Sequence, residues 1–142
     1  MELGTFSEQF KPTSNPIIKP EDGFVDERGS IVPLADEPMK SAVLISSVKG
    51  TVRANHYHKT DWHYCYLLKG AIDYYHRPVG SQQAPDIVKI KPGQNFFTPP
   101  MVEHAMVFTE DSEFICLGKN SRCQESYEAD VVRVNLYPVT TN

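Results

Sequence analysis

Short runs in which apolar and polar residues trade places every second position fill most of this chain. They read GSIVPLAD, SAVLISSV, TVRANHYH, HYCYLL, AIDYYHR, DIVKI, NFFTP, EHAMVFT, SEFICLG and VVRVNLY. A period of two is that of a β-strand, whose successive side chains point to opposite faces. Turn residues separate the runs: Lys49-Gly50, Lys69-Gly70, Gly80-Ser81, Pro92-Gly93 and Glu110-Asp111-Ser112. Many short strands at near-regular spacing predict an all-β sandwich or barrel. Only QESYEAD, residues 124–130, has helical character, for about two turns at most.

Alternation also assigns faces. His63, Cys65 and Leu67 share one face of their run, and Tyr64, Tyr66 and Leu68 share the other. His104, Met106 and Phe108 go together. Each histidine thus keeps apolar company, as expected of a barrel interior with a polar mouth. Phe97 and Met106 are expected to fill that interior. Residues 1–22, with prolines at 12, 16 and 20, resist helix and are expected to form an extended arm ahead of a single barrel domain over 23–142.

The length of 142 residues favours one domain. A net charge of −4 argues against nonspecific nucleic-acid binding, which needs a basic surface. No apolar run is long enough to span a membrane as a helix, and MELGTFSEQF has neither the basic nor the apolar region of a secretory signal. Three cysteines, Cys65, Cys116 and Cys123, with no CxxC pair, fit a reducing cytoplasm. Cys65 and Cys116 lie in apolar runs and read as buried filler.

Chemistry concentrates in HYHKTDWH, residues 56–63, which holds three of the five histidines. His56 and His58 point the same way on a strand. His63 is an odd step from both and joins them only across a turn, which KTD offers. With His104 from a late run, four imidazoles can converge. Neutral imidazole is a common ligand for Zn, Ni and Fe(II). Mg and Ca, which want oxygen donors, fit poorly. His76 matches no such pattern and is read as surface or pocket rim.

Taken whole, the spacings resemble the two signature motifs of the cupin superfamily. Gly50, five residues, His56-x-His58, four residues, His63, six residues and Gly70 reproduce the first motif, with His63 where Glu is usual. Gly93, Pro99 and His104 match the second, which departs at Met101, where Gly is usual, and at Phe108, where Asn is usual. The resemblance spans residues 50–108 by motif and implies a double-stranded β-helix, a jelly-roll-like barrel. It also implies one divalent transition metal (Zn, Ni, Fe or Mn) held by His56, His58, His63 and His104. Having His in place of Glu leaves such an ion its full charge, making it a stronger Lewis acid.

A narrower likeness joins ERGSIVPL, VRANHYHK and PPMVEH to small cupins that act as 3,4-ketoisomerases on nucleotide-linked 4-keto-6-deoxy sugars. Arg53, His56, His58 and Lys59 match that group's Arg-Gly-x-His-x-His-Lys core, with Ala54 in place of Gly, and QESYEADVVRV is similar to its acidic-aromatic tail. This implies an isomerase or epimerase of carbohydrate metabolism in which His56 and His58 move a proton next to a carbonyl. Arg53 is the candidate clamp for an anionic group. Strict alternation points Arg53 away from His56, so its role needs a bulge. Lys59, Trp62 and Tyr74 are the candidate substrate contacts, Trp62 by stacking at the mouth. Tyr64, Tyr66, Tyr74 and Tyr75 form an aromatic cluster read as an outer face, from which a homodimer is expected. The rivals are a metal-dependent dioxygenase or lyase on a small organic acid, and a noncatalytic module that binds a sugar or metal.

Overall fold

The computed structural model describes residues 15–18 and 24–138. The strands, in chain order, are β1 (Ile17–Ile18), β2 (Phe24–Asp26), β3 (Gly29–Ile31), β4 (Ser41–Ser47), β5 (Val52–His58), β6 (His63–Lys69), β7 (Ile72–Pro78), β8 (Asp86–Ile90), β9 (Asn95–Thr98), β10 (Val102–Phe108), β11 (Ser112–Gly118) and β12 (Val131–Arg133). The helix α1 covers Gln124–Asp130, where the sequence predicts it. Each of the ten alternating runs contains a strand, and the fold is all-β as expected. Of the extended arm over 1–22, residues 15–18 are described, with Ile17 and Ile18 paired to β9; the rest of the arm lies outside the described residues.

Two five-stranded sheets, β1-β9-β6-β11-β4 and β12-β5-β10-β7-β8, make the barrel, and β2-β3 forms a separate hairpin. From β4 to β7 and from β9 to β12 the chain alternates between the two sheets. Strands consecutive in the chain therefore face each other across the core. One cluster fills the space between the sheets: Leu67, Phe96, Phe114, Cys65 and Cys116 from the first meet Ile72, Tyr74, Ile90 and Phe108 from the second. A second cluster of Ile18, Trp62, Tyr64 and Phe97 packs on the outside of the first sheet, with Ala35, Met39 and Leu117 against it.

These clusters correct two expectations. Phe96, not Phe97, fills the barrel; strand β9 is buried on both faces, so alternation alone could not choose between them. The four tyrosines do not share an outer face. Tyr74 is 1% exposed inside the barrel, and Tyr64, equally buried, lies in the outer cluster, where its hydroxyl donates to Glu37 Oε2 at 2.9 Å.

Strand β5 carries the irregularity that shapes the site. In its pairing with β10, His56 faces His104 but Ala54 faces Ala105, so Asn55 is an inserted bulge residue. Ala54 and Asn55 both have left-handed backbone, with φ of 67° and 61°. Asn55 suits that conformation, and its side chain is clasped to Tyr137 by bonds of 2.8 and 2.9 Å. Ala54 is strained by its Cβ. We expect Ala54→Gly to raise stability by about 1 kcal/mol, read as a higher urea midpoint at unchanged slope; a lower midpoint would contradict the assigned strain.

Candidate functional site

Strand β5 presents His56 and His58 to the barrel interior, β10 presents His104 directly opposite His56, and β6 opens with His63. All four are buried. The ring centroids of His56 and His58 are 4.7 Å apart, those of His56 and His104 4.8 Å, and those of His58 and His63 4.7 Å. The structure arranges the quartet as two overlapping trios. One nitrogen each from His56, His58 and His104 lie within 4.8 Å of one another, as do donor atoms of His58, Asp61 and His63. His58 belongs to both. His63 lies nearest Asp61, whose Oδ2 is 2.8 Å from its Nε2.

Space for His63 comes from the strand beside it. Gly118 pairs with His63 in the β11–β6 register, and a Cβ there would lie 2.6 Å from Ser41 Oγ and 3.0 Å from His63 Cδ2. The glycine leaves room for the imidazole.

Electrostatics separates the histidines. Burial, then the nearby His58 and His63, pushes His56 down to about 3. Burial, then His63, pushes His58 down to about 4. Burial, reinforced by His56 and His58, also lowers His104. At neutral pH these three are uncharged and carry lone pairs. The His104 Nδ1–H donates to the Val102 carbonyl at 3.0 Å, which fixes the tautomer and leaves Nε2 as the free lone pair. Neither ring nitrogen of His58 has a hydrogen-bond partner within bonding distance; its Nδ1 is 3.5 Å from Asp130 Oδ2. For His63, burial pulls down, but Cys116 and Asp61 outweigh it and its pKa rises.

A pH dependence of stability follows. An unfolded histidine titrates near pH 6.5. His56 and His58 fold with lower values, so below about 6.5 the unfolded chain binds more protons. Their contribution is whole above that pH and is lost as pH falls toward about 4 and then about 3. His63, raised, contributes in full below about 6.5 and is lost only as pH climbs through its folded value, so it does not offset the acid loss. The urea midpoint should therefore fall between pH 6.5 and 4; a flat profile would contradict neutral buried imidazoles.

The cavity holds about 110 Å³ and is walled by His56, His63, His104, Cys116 and Thr98 among others, with Arg53, Arg122 and Tyr127 also lining it. The bulge at Asn55 supplies the missing step that brings Arg53 onto this side. The Arg53 Nε donates to Ser47 Oγ and its Nη2 to the Ser46 carbonyl, tying the two sheets together beside the cavity. Other candidates lie elsewhere. Trp62 does not line the cavity; it packs against Tyr64, with ring centroids 5.1 Å apart, in the outer cluster, because the turn before β6 points it away from His63. Tyr74 is sealed behind the site, its hydroxyl 2.6 Å from Thr98 Oγ1. Lys59 is exposed, its backbone N–H donating to the Asp130 carbonyl. His76 is no rim residue: it is 4% exposed, pairs with His104 in register and stacks on Tyr74.

Sequence reasoning missed four residues here. Asp61 backs His63. Asp130 accepts from Thr60 N, Thr60 Oγ1 and Asp61 N at 2.8, 2.7 and 3.1 Å, latching α1 over the KTD turn. Tyr127 on α1 lies edge-on to His58, centroids 5.8 Å apart, and Arg122 sits 5.1 Å over its ring. The acidic-aromatic tail was the available signal for Tyr127 and Asp130, without a location.

Two antiparallel sheets closed into a barrel, with histidines from β5, β6 and β10 at one end of the interior, define a cupin fold. No family model matches the chain, and no curated protein matches it in sequence. Solved structures do. QdtA, a sugar 3,4-ketoisomerase from Thermoanaerobacterium thermosaccharolyticum in complex with TDP, is 21% identical with a TM-score of 0.61, over 80% of this chain and 84% of that one. The dTDP-4-dehydrorhamnose 3,5-epimerase from Sulfolobus tokodaii is 19% identical with a TM-score of 0.61, over 82% and 77%. ChmJ, a 3'-monoepimerase from Streptomyces bikiniensis in complex with dTDP-quinovose, is 17% identical with a TM-score of 0.64, over 80% and 66%. At these identities the likeness establishes the shared fold.

Proposed function

We propose that this chain is a metal-binding isomerase or epimerase that moves a proton next to a carbonyl on a nucleotide-linked keto-sugar. The observation that carries this reading is the set of neutral, buried imidazoles at a cavity also lined by two arginines. The fold shared with enzymes described as sugar ketoisomerases and epimerases supports the substrate class.

The residues fit a divalent transition metal. His58 Nε2 is buried without a hydrogen-bond partner while its Nδ1 faces Asp130 Oδ2 at 3.5 Å, and His104 is held in the tautomer that offers Nε2. His56, His58 and His104 would hold the ion, with His63 at the edge of the set. When bound, it supplies Lewis acidity toward a keto oxygen. His63, backed by Asp61 and lining the cavity, then carries the proton, and Arg53 and Arg122 hold the anionic part of the substrate. The cavity is smaller than ordinary ligand pockets of about 300–1,000 Å³, so the reacting ring enters and the nucleotide stays outside.

The same small volume favours a second reading, a lyase or dioxygenase on a small organic acid clamped by the arginines. Oxygen uptake on turnover separates the two. We further place the protein in the cytoplasm, where its free thiols persist, and as a homodimer, supported by exposed Phe24, Val25 and Ile31 on the β2-β3 hairpin.

The test is proton exchange. A TDP-linked 4-keto-6-deoxy sugar incubated with the protein in D2O should gain deuterium at the carbon beside the ketone, seen by NMR. His63→Asn should slow exchange by about 10²–10⁴-fold. Undiminished exchange in both His58→Ala and His63→Asn would overturn the proposal.

A further inference from the structure

We propose that Cys65 and Cys116 form an oxidisable dithiol in the wall of the cavity, closed to a disulfide by a hydroperoxide that enters it. This inference does not depend on the reaction proposed above.

The argument is geometric. Cys65 on β6 and Cys116 on β11 are direct register partners of an antiparallel pair. Such partners have Cα atoms about 4.5–5.5 Å apart, inside the roughly 4.4–6.8 Å that a disulfide spans. Directly opposed residues share a face, and here both side chains line the cavity. Each is 3% exposed, and the two thiols are hydrogen-bonded to each other. Buried cysteines usually serve as small hydrophobes. These two differ in being in mutual contact and in facing a space that His63 and Thr98 also line. The third cysteine, Cys123, is exposed just before α1.

The chemistry balances with the hydroperoxide as the sole oxidant. One thiolate attacks the peroxide: an S–O bond forms, the O–O bond breaks, and the departing oxygen takes a proton and leaves as alcohol or water. The sulfur is oxidised by two electrons and the peroxide reduced by two. The neighbouring thiol then attacks the sulfenic sulfur; the S–S bond forms, the S–O bond breaks, and the hydroxyl leaves as water with the second proton. Two thiols and one peroxide thus yield one disulfide, one alcohol and one water.

The test uses the full chain. Protein treated with a modest excess of hydrogen peroxide is alkylated unreduced and mapped by mass spectrometry. The expected product is a cross-linked peptide pair joining Cys65 to Cys116, about 2 Da lighter than the two thiol peptides, lost on adding dithiothreitol and still formed in Cys123→Ser. Cys65→Ser should stop at a sulfenic acid on Cys116, the thiol in contact with His63, that dimedone traps. Alkylation of both Cys65 and Cys116 after peroxide, or oxidation confined to Cys123, would overturn the inference; this readout on the natural chain stands even if Cys65→Ser fails to fold.

Discussion

His104→Ala should reduce the transition metal in the purified protein from about one equivalent per chain to less than about a tenth. The imidazole contributes one of three neutral nitrogens lying within 4.8 Å of one another, and its orientation is set by the bond to the Val102 carbonyl. Disturbing only the partner that orients a ligand commonly costs 10–100-fold in metal affinity; removing the ligand should cost more. His56→Ala and His58→Ala should behave alike, and Lys59→Ala, altered at an exposed side chain, should keep its metal. Elemental analysis of untagged, dialysed protein gives the answer, with thermal melts to show that each variant is folded. A chelator should lower the melting temperature of the natural chain, since a ligand that binds only the folded state stabilises it. Less than about a tenth of an equivalent in the natural chain itself would redirect the proposal to a metal-free isomerase, with the histidines as the acid and base.

Gly70→Ala should destabilise the barrel by about 3–5 kcal/mol, a large share of the roughly 5–15 kcal/mol that holds a domain folded. Gly70 has φ of +100°, and a Cβ there would lie 2.1 Å from Ser112 Oγ and 2.6 Å from the Asp111 carbonyl oxygen. Ser112 cannot simply turn aside. Its Oγ accepts from Ala71 N at 3.1 Å and donates to the Glu110 carbonyl at 2.8 Å, and it begins β11. The substitution therefore combines backbone strain with displacement of the buried Ser112 and the turn it anchors. A fall in melting temperature of roughly 10 °C is expected for a chain of this size. Gly50→Ala is the control: its φ is +90° but nothing lies within 4 Å, so only the strain applies, about 1–2 kcal/mol. Equal melting temperatures for the two variants would refute the steric argument.

The two glycines show how far motif reading reaches. Spacing in the sequence marks Gly50 and Gly70 as a pair, yet they differ in what surrounds them, and that difference arises from β11, some forty residues away. The site behaves likewise. His56, His58, His63 and His104 stand out by spacing, because two residues apart on a strand means the same face whatever the fold. Arg53 matched a motif, but alternation pointed it the other way; one inserted residue, Asn55, reverses its side, and a bulge has no period-two signature. Trp62 and Tyr74 were misplaced for other reasons: Trp62 precedes β6, in a turn where no period applies, and Tyr74 lies on β7, whose alternation is regular but does not say which of its two faces is the inner one.

By itself the sequence determined the all-β class, ten of the strands, the short helix and the four histidines that the fold brings side by side, since each rests on a local period or a local turn. Tertiary structure alone decided that Asp61 backs His63, that Asp130 and Tyr127 fold over His58, and that Cys65 meets Cys116. Those contacts link residues up to some seventy positions apart, or select between the faces of one strand. Only closure of two sheets around a shared core, which pairs each strand with a particular neighbour in a particular register, can fix them.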